Sequence, residues 1–433
     1  MKKALLVVCG VLICSACGAP SLRYKYEVNK LAAEGKFERA ANLVESKRKH
    51  MYGQRDTLLY ELDRASLLHD AGQYPQSDTL LADAQQRITD SYTKSISSSA
   101  SRLVINDLAT PYYAADYETA LTFFYRAMNF LQQNDVMSAG VEARRAVFFL
   151  DHLRGDKKKG YNDDPFVQYM ASLIFESTGD LSDARIARQN ALNAYKKRGW
   201  TVPQFSVPKD AADYGEVIVV HTVGQVPLKK SQTIQVAWHR ILAFANSPVE
   251  NEGSVSPEVQ NAITAGLMGS AVTVAYPVLE PQLYHIAFST LQIAGQQYAM
   301  QPMSNISELV SQDLEEKLPA MWFRLATRAV LRRIAAVQAR HAIESRDGKN
   351  GSLGWLAEMV MDVFGAAIEK ADTRQWFTLP AEVYMTRAFV APGTQDIQLL
   401  LKDRNGNMIG THTFENIRVP RGGRIFLHYR SAY

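Results

Sequence analysis

The amino-acid sequence predicts a multidomain α+β fold: an array of helical repeats, then a mixed α/β domain that ends in a small β-sandwich or sheet. Three observations support this prediction. The chain has 433 residues, more than one hydrophobic core usually serves. A short turn motif recurs through residues 22–200, between segments with helical spacing of apolar residues. After Pro380 the apolar residues alternate with polar ones, which is typical of strands.

The chain begins with the pattern of an export signal. Lys2 and Lys3 precede an apolar run over residues 4–14, which is too short to span about 30 Å of hydrocarbon as a helix. Two small residues follow, and Cys17 comes next. This pattern resembles a bacterial lipobox, in which the cysteine thiol carries a diacylglycerol and the new N-terminus is acylated. Cys14 stands where a lipobox usually has leucine, which is a small departure from the pattern.

Cysteine usage agrees with a lipid on Cys17. The two other cysteines lie in the predicted signal peptide, residues 1–16, so the mature chain would have no thiol for a periplasmic disulfide. By resemblance to lipoprotein sorting, Gly18 after the cysteine indicates the outer membrane, with the protein facing the periplasm. We therefore predict a lipidated tether over residues 17–21 and membrane lipid as one partner. Signal cleavage that leaves Cys17 free is the alternative.

Composition excludes other partners. The formal net charge is +4 at pH 7, which is too balanced for a protein that binds nucleic acid. A metal site needs convergent histidine, cysteine and carboxylate ligands. The histidines are scattered along the chain, and none forms a His-x-x-x-His pair. We therefore expect no nucleic acid, no metal ion and no cofactor.

The recurring motif is Gly or Asn, a polar residue, an apolar or aromatic residue, two variable residues, then Ala or Ser. Its copies begin at Gly35, Gly72, Asn134 and Gly179. We predict a helical hairpin at each copy. The Gly or Asn ends the first helix in the left-handed conformation, the apolar residue fills the turn, and the small residue lets the second helix approach closely.

This motif resembles the turn of the tetratricopeptide repeat, which returns about every 34 residues. Here the successive copies are 37, 62 and 45 residues apart, so the predicted array is irregular. A generic helical bundle with similar turns is the alternative. Either arrangement offers a groove for a peptide or protein rather than a pocket for a small molecule.

Two longer stretches extend the resemblance to a family. One covers residues 116–146 and begins Asp-Tyr-Glu-Thr-Ala-Leu, and the other covers residues 371–380 and reads Ala-Asp-Thr-Arg-Gln-Trp-Phe-Thr-Leu-Pro. Together they resemble uncharacterised bacterial outer-membrane lipoproteins with an N-terminal tetratricopeptide-like region, over most of the mature chain. The resemblance implies fold and location rather than chemistry. Members are often encoded beside small lipoproteins that resemble activators of peptidoglycan synthases, which implies an envelope role by association.

Glu142, Arg144 and Arg145 form a charged cluster in the helical half. Arginine binds carboxylates through two parallel hydrogen bonds, so this cluster is a candidate site for a partner protein. The alternative is a solvated helix face with local ion pairs, each worth about a few tenths of a kcal/mol.

Asp372, Thr373, Arg374 and Trp376 form a second polar cluster. We predict a structural lock in which an Asp372–Arg374 pair, with Trp376, joins the helical segment to the strands. A ligand-binding or catalytic site is the alternative.

The second half follows a predicted linker over residues 201–212, where two prolines end the helical pattern. We predict an α+β domain over residues 213–433 with a β-rich part from about residue 376. Its predicted elements include a buried strand at 216–221, a loop at 224–230, a mobile excursion at 246–258, a long helix from about 305 to 346, an apolar helix at 355–364 and a hairpin at Asn405-Gly406.

No catalytic motif accompanies these elements. The chain has no Gly-x-Ser-x-Gly elbow, and the mature chain has no cysteine beyond Cys17. We therefore expect a protein without enzyme activity, which scaffolds or regulates an envelope protein complex through its helical repeats. The alternatives are an activator of peptidoglycan synthesis or a secretion and assembly accessory, and an envelope hydrolase with an unrecognised site.

Overall fold

A computed structural model describes residues 20–95, 108, 110–155, 164–237, 240–241, 271–347 and 370–433. The predictions for the signal peptide, Cys17, the excursion at 246–258 and the helix at 355–364 lie outside these residues. As the sequence predicts, the fold is mixed α/β, with helices in the N-terminal half and sheets after them.

In the described part of the N-terminal half there are eight α-helices, and each packs mainly on the helices next to it in the chain. A short π-helix, Arg48–Tyr52, joins the second to the third. The helices are α1 (Leu22–Ala33), α2 (Phe37–Ser46), α3 (Thr57–Asp70), α4 (Tyr74–Ser95), α5 (Asp116–Gln132), α6 (Val136–Gly155), α7 (Pro165–Thr178) and α8 (Leu181–Arg198).

The four motif copies are the turns between the paired helices, as predicted. The first residue of each copy has a left-handed backbone, with φ between 60° and 84°. The small residue that ends each copy is buried; these residues are Ala40, Ser77, Ala139 and Ala184. The prediction that an apolar residue fills the turn is wrong for Leu181, which is 68% exposed.

Ten strands and one long helix follow in the described chain. The strands are β1 (Gly215–Val223), β2 (Leu228–Ala237), β3 (Ala271–Glu280), β4 (Phe288–Ile293), β5 (Gln296–Ala299), β6 (Gln301–Asn305), β7 (Glu382–Val390), β8 (Gly393–Lys402), β9 (Met408–Val419) and β10 (Arg424–Ser431). The helix α9 (Ile306–Asp347) separates β6 from β7. β2 begins inside the predicted loop at 224–230, so that prediction is wrong at its C-terminal end.

Two four-stranded sheets and one hairpin contain these strands. The first sheet has the order β10-β1-β7-β6, the second has the order β5-β4-β8-β9, and β2 pairs with β3. β1 runs parallel to β10 and antiparallel to β7. The predicted Asn-Gly hairpin is the connection between β8 and β9, where Gly406 has a φ of 82°.

β1 explains how the layers stack, because both of its faces are buried. Val217 and Val219 point into a core shared with Leu399 of β8, so the two four-stranded sheets pack face to face. Ile218 and Val220 point the other way, into the core of the helical half. A strand that is covered on both faces reads as a continuous apolar run, which is the pattern at residues 217–220.

The helical half and the first sheet share one hydrophobic core in the described residues. Leu59 and Phe124 of the helices belong to the same buried cluster as Ile218 of β1 and Trp376. The core therefore crosses the predicted linker at 201–212.

α9 begins as predicted, because the Asn305 side chain accepts a hydrogen bond from the backbone N–H of Glu308 at 3.0 Å. Its interior contains Pro319. Within the described ranges, no helix combines the length and the apolar character that crossing a membrane requires.

Candidate interaction surface

Residues 372–379 lie against the helical half, outside any helix or strand and with a turn at 377–378. The backbone N–H of Trp376 donates to Oε1 of Glu118 on α5 at 2.9 Å. The backbone N–H of Phe377 donates to Oδ1 of Asp63 on α3 at 3.1 Å. Two buried carboxylates thus bind two successive amides, as a protein groove binds a peptide.

The side chains of this 372–379 segment add to the attachment. The indole N–H of Trp376 donates to Oγ of Ser66 at 3.2 Å, and its ring lies 5.7 Å from that of Tyr125. The hydroxyls of Ser66 and Thr378 lie 2.7 Å apart. The protein's own chain therefore occupies this surface of α3 and α5.

The predicted lock lies at the start of this segment. The Arg374 guanidinium donates to Asp372 and to Asp56, both at 2.7 Å, and Asp56 is the residue that precedes α3. Burial raises the pKa of Asp372, but the hydrogen bonds and charge of Arg374 outweigh this and hold that pKa below its ordinary value. The pair thereby connects the 372–379 segment to the helical half.

Lys25 of α1 adds a buried cation at the same place. Its ammonium group donates to the backbone carbonyl of Thr373 at 2.6 Å. Burial lowers the pKa of Lys25 to about 8, against an attraction to Asp63 that raises it. The buried cations of Lys25 and Arg374 therefore hold the 372–379 segment in position and are not placed to bind a ligand from solution.

The first candidate partner-binding residue, Glu142, lies inside the helical half. It is buried, and its carboxylate accepts from Arg126 at 2.8 Å and from Arg145 at 2.9 Å. Gln85 donates to it as well, at 3.2 Å. Glu142 is therefore an internal acceptor that orients Arg145, and it is not placed to contact a partner.

Arg144 and Arg145 do reach the surface of α6. The Arg144 guanidinium lies 5.5 Å from the ring centre of Phe175 and pairs with Asp180 at 2.9 Å. The Arg145 guanidinium lies 5.5 Å from the ring centre of Phe123. Contacts of this kind hold a guanidinium in place while leaving part of it open to solvent.

Both arginines border an apolar groove of about 500 Å³ between α4, α5 and α6, which we call the α6 groove. Its lining residues are Gln85, Ile88, Thr89, Thr119, Phe123, Arg144, Arg145, Phe148, Phe149 and His152. Phe148 is 80% exposed, so the large apolar area of its side chain is mostly in contact with water. Phe148 is not among the residues predicted from the sequence.

The spacing along α6 contained a signal for Phe148. Ala139, Ala143 and Ala146 are buried at helical spacing and face the core. Val141 and Phe148 lie on the other side of the helix and are exposed. Phe148 also borders an apolar groove, and an exposed apolar residue that continues such a surface points to an interaction site.

A second cavity, of about 320 Å³, lies beside the lock and has Asp372 and Arg374 in its wall. Three other charged residues of its wall are paired: Lys317 lies 2.6 Å from Asp313, and Lys229 lies 3.8 Å from the same carboxylate. Because these charges already have partners within the protein, the cavity is a weaker candidate for a ligand site than the apolar α6 groove is.

Comparison with family models finds no match for this chain, and comparison with curated proteins finds none either.

Proposed function

We propose that this chain is a membrane-anchored scaffold or regulator that docks an envelope protein in the α6 groove. The observation that carries the proposal is the exposed Phe148 beside two oriented arginines, in a groove formed by three helices. Aromatic and arginine side chains in such pockets contribute most of the binding energy in many protein interfaces.

Two further features support the repeat fold and the membrane location that belong to this proposal. The left-handed Gly and Asn turns of the helical hairpins support a tetratricopeptide-like array. The lipobox pattern supports a lipid on Cys17, an outer-membrane anchor and exposure to the periplasm.

The chemistry of the groove specifies its partner. The floor is apolar, through Ile88, Phe123 and Phe149, and the rim carries Arg144 and Arg145. A complementary segment has apolar side chains for the floor and carboxylates for the rim, as an acidic amphipathic helix has. If that segment belongs to a peptidoglycan synthase, the protein is an activator of glycan synthesis; if it belongs to a secretion complex, it is an assembly accessory.

Changing Phe148→Ala is expected to weaken partner binding by about 30-fold, because a central aromatic residue contributes about 2 kcal/mol in an interface. The double change Arg144→Gln and Arg145→Gln should also weaken partner binding. Added salt should weaken partner binding by the wild-type protein. Binding of the purified partner to the full mature protein is the measurement.

Phe288→Ala is the matched control, because Phe288 is 57% exposed but lies on β4, away from the groove. Neither phenylalanine change should alter the unfolding free energy by more than about 0.5 kcal/mol, since both side chains are exposed. Equal partner affinity for the Phe148→Ala and Phe288→Ala variants would remove the α6 groove as the docking site.

A further inference from the structure

The fold brings two distant histidines into contact. His69 lies in the last turn of α3, and His428 lies in β10. Nε2 of His69 is 3.0 Å from Nδ1 of His428. Asp70 follows His69, and the ligand atoms of the three residues all lie within 4.8 Å of one another.

The outer nitrogen of each histidine has its own polar partner. Nδ1 of His69 is 2.6 Å from the side-chain oxygen of Asn129, whose amide nitrogen donates to Ser77. An amide oxygen only accepts, so Nδ1 carries the proton and Nε2 presents a lone pair to His428. Nε2 of His428 is 2.9 Å from the hydroxyl of Thr222. Histidines that bind metals are oriented in this way, through the nitrogen that does not bind.

Asp70 supplies an oxygen next to the two rings. Its side chain is 2% exposed, and Oδ1 has no hydrogen-bond partner in the part of the chain that the structure describes. Oδ2 lies 3.4 Å from Nε of Arg430. A buried carboxylate oxygen without a partner is costly, and a cation would satisfy it.

We propose that His69, Asp70 and His428 bind one divalent transition-metal ion, with Zn²⁺ as the representative ion. Two imidazoles and one carboxylate suit zinc and its neighbours in the first transition row. Two nitrogens bound to one zinc ion at about 2.1 Å in tetrahedral geometry lie about 3.4 Å apart. The observed 3.0 Å therefore requires only a small movement of one ring.

The bound ion would join the end of α3 to β10, and thus the helical half to the first sheet. It would act on stability rather than on docking, so it does not depend on the function proposed for the α6 groove. The positive charge of Arg430 opposes the ion, so we expect weaker binding than in structural zinc sites built from thiolates.

The test uses the full mature protein, stripped of metal with a chelator and then titrated with Zn²⁺. We expect one equivalent to bind, with a rise in the melting temperature. Asp70→Asn keeps the side-chain shape and should weaken binding by more than about 100-fold, since even partners outside the ligand shell cost about 10–100-fold. His428→Asn should weaken it similarly. Co²⁺ in place of Zn²⁺ should give a visible spectrum that both variants lose.

His50→Ala is the control, because His50 is an exposed histidine on the π-helix. It should bind the ion as the wild type does. Circular dichroism checks that each variant is folded, and if His428→Asn does not fold, the isosteric Asp70→Asn decides. If Zn²⁺ does not bind, the proposal is overturned, and the contact between the two rings is then a hydrogen bond. Binding that Asp70→Asn and His428→Asn retain, or that only His50→Ala loses, would overturn it too.

Discussion

Replacing Trp376 by alanine is expected to lower the free energy of unfolding by about 3–5 kcal/mol. The side chain is fully buried at the junction of the helical half and the 372–379 segment. Its removal leaves a cavity beside Tyr125 and takes the hydrogen-bond donor away from Ser66. Denaturation by urea, followed by circular dichroism, measures this change.

Leu283→Ala is the control for Trp376→Ala, because Leu283 is 94% exposed. It should change the unfolding free energy by less than about 0.5 kcal/mol. If Trp376→Ala changes stability by no more than this control does, the segment is not part of the shared core.

Arg374→Met is expected to destabilise the protein by about 3–5 kcal/mol, because it leaves carboxylates buried without their cation. The carboxylates are Asp56 and Asp372, each 2.7 Å from the guanidinium. Adding Asp56→Asn to Arg374→Met should recover part of the loss, since the amide carries no charge to leave uncompensated. A double-mutant cycle measures the coupling, and additive effects would contradict the predicted lock.

The loss caused by Arg374→Met should depend on pH. The folded-state pKa of Asp372 lies below its ordinary value of 3.8 because Arg374 outweighs the effect of burial. The pair therefore contributes its stability above about pH 3.8, the unfolded value, and loses it as the pH falls through the folded value. The stability difference between wild type and variant should narrow in acid. A difference that is unchanged down to the acid limit of folding would argue against the pair.

Local features of the fold could be predicted from the sequence, because their causes are local. The left-handed turns at Gly35 and Gly179 follow from the absence of a Cβ, and the turn at Asn134 follows from the tolerance of Asn. The hairpin between β8 and β9 follows from Asn-Gly, and the start of α9 follows from the Asn305 cap. In each case the signal and the structure lie within a few residues.

Contacts between distant parts of the chain could not be predicted in this way. β1 pairs in parallel with β10, and the 372–379 segment lies on α3 and α5. Local spacing contains no information about which distant segments meet. For the same reason the local sequence pattern gives no sign that His69 and His428, which are 359 residues apart, lie in contact.

The candidate site was predicted in part. Arg144 and Arg145 lie at the surface of α6 as the sequence suggested, while Glu142 lies inside because Arg126 and Gln85 surround it. The sequence also predicted a groove for a peptide or protein in the helical half, but it did not indicate where that groove lies. The carboxylates of Glu118 and Asp63 bind backbone amides of the chain's own 372–379 segment, and the α6 groove remains for a partner.

The most direct test of docking places a photo-crosslinking amino acid at position 148 of the lipidated protein in living cells. The same amino acid at position 288 is the control, since both sites are exposed phenylalanines on different surfaces. We expect that position 148 crosslinks one envelope protein reproducibly, that position 288 does not, and that Arg144→Gln with Arg145→Gln reduces the crosslink. The same products at both positions, or none at position 148 in a folded and abundant protein, would contradict it.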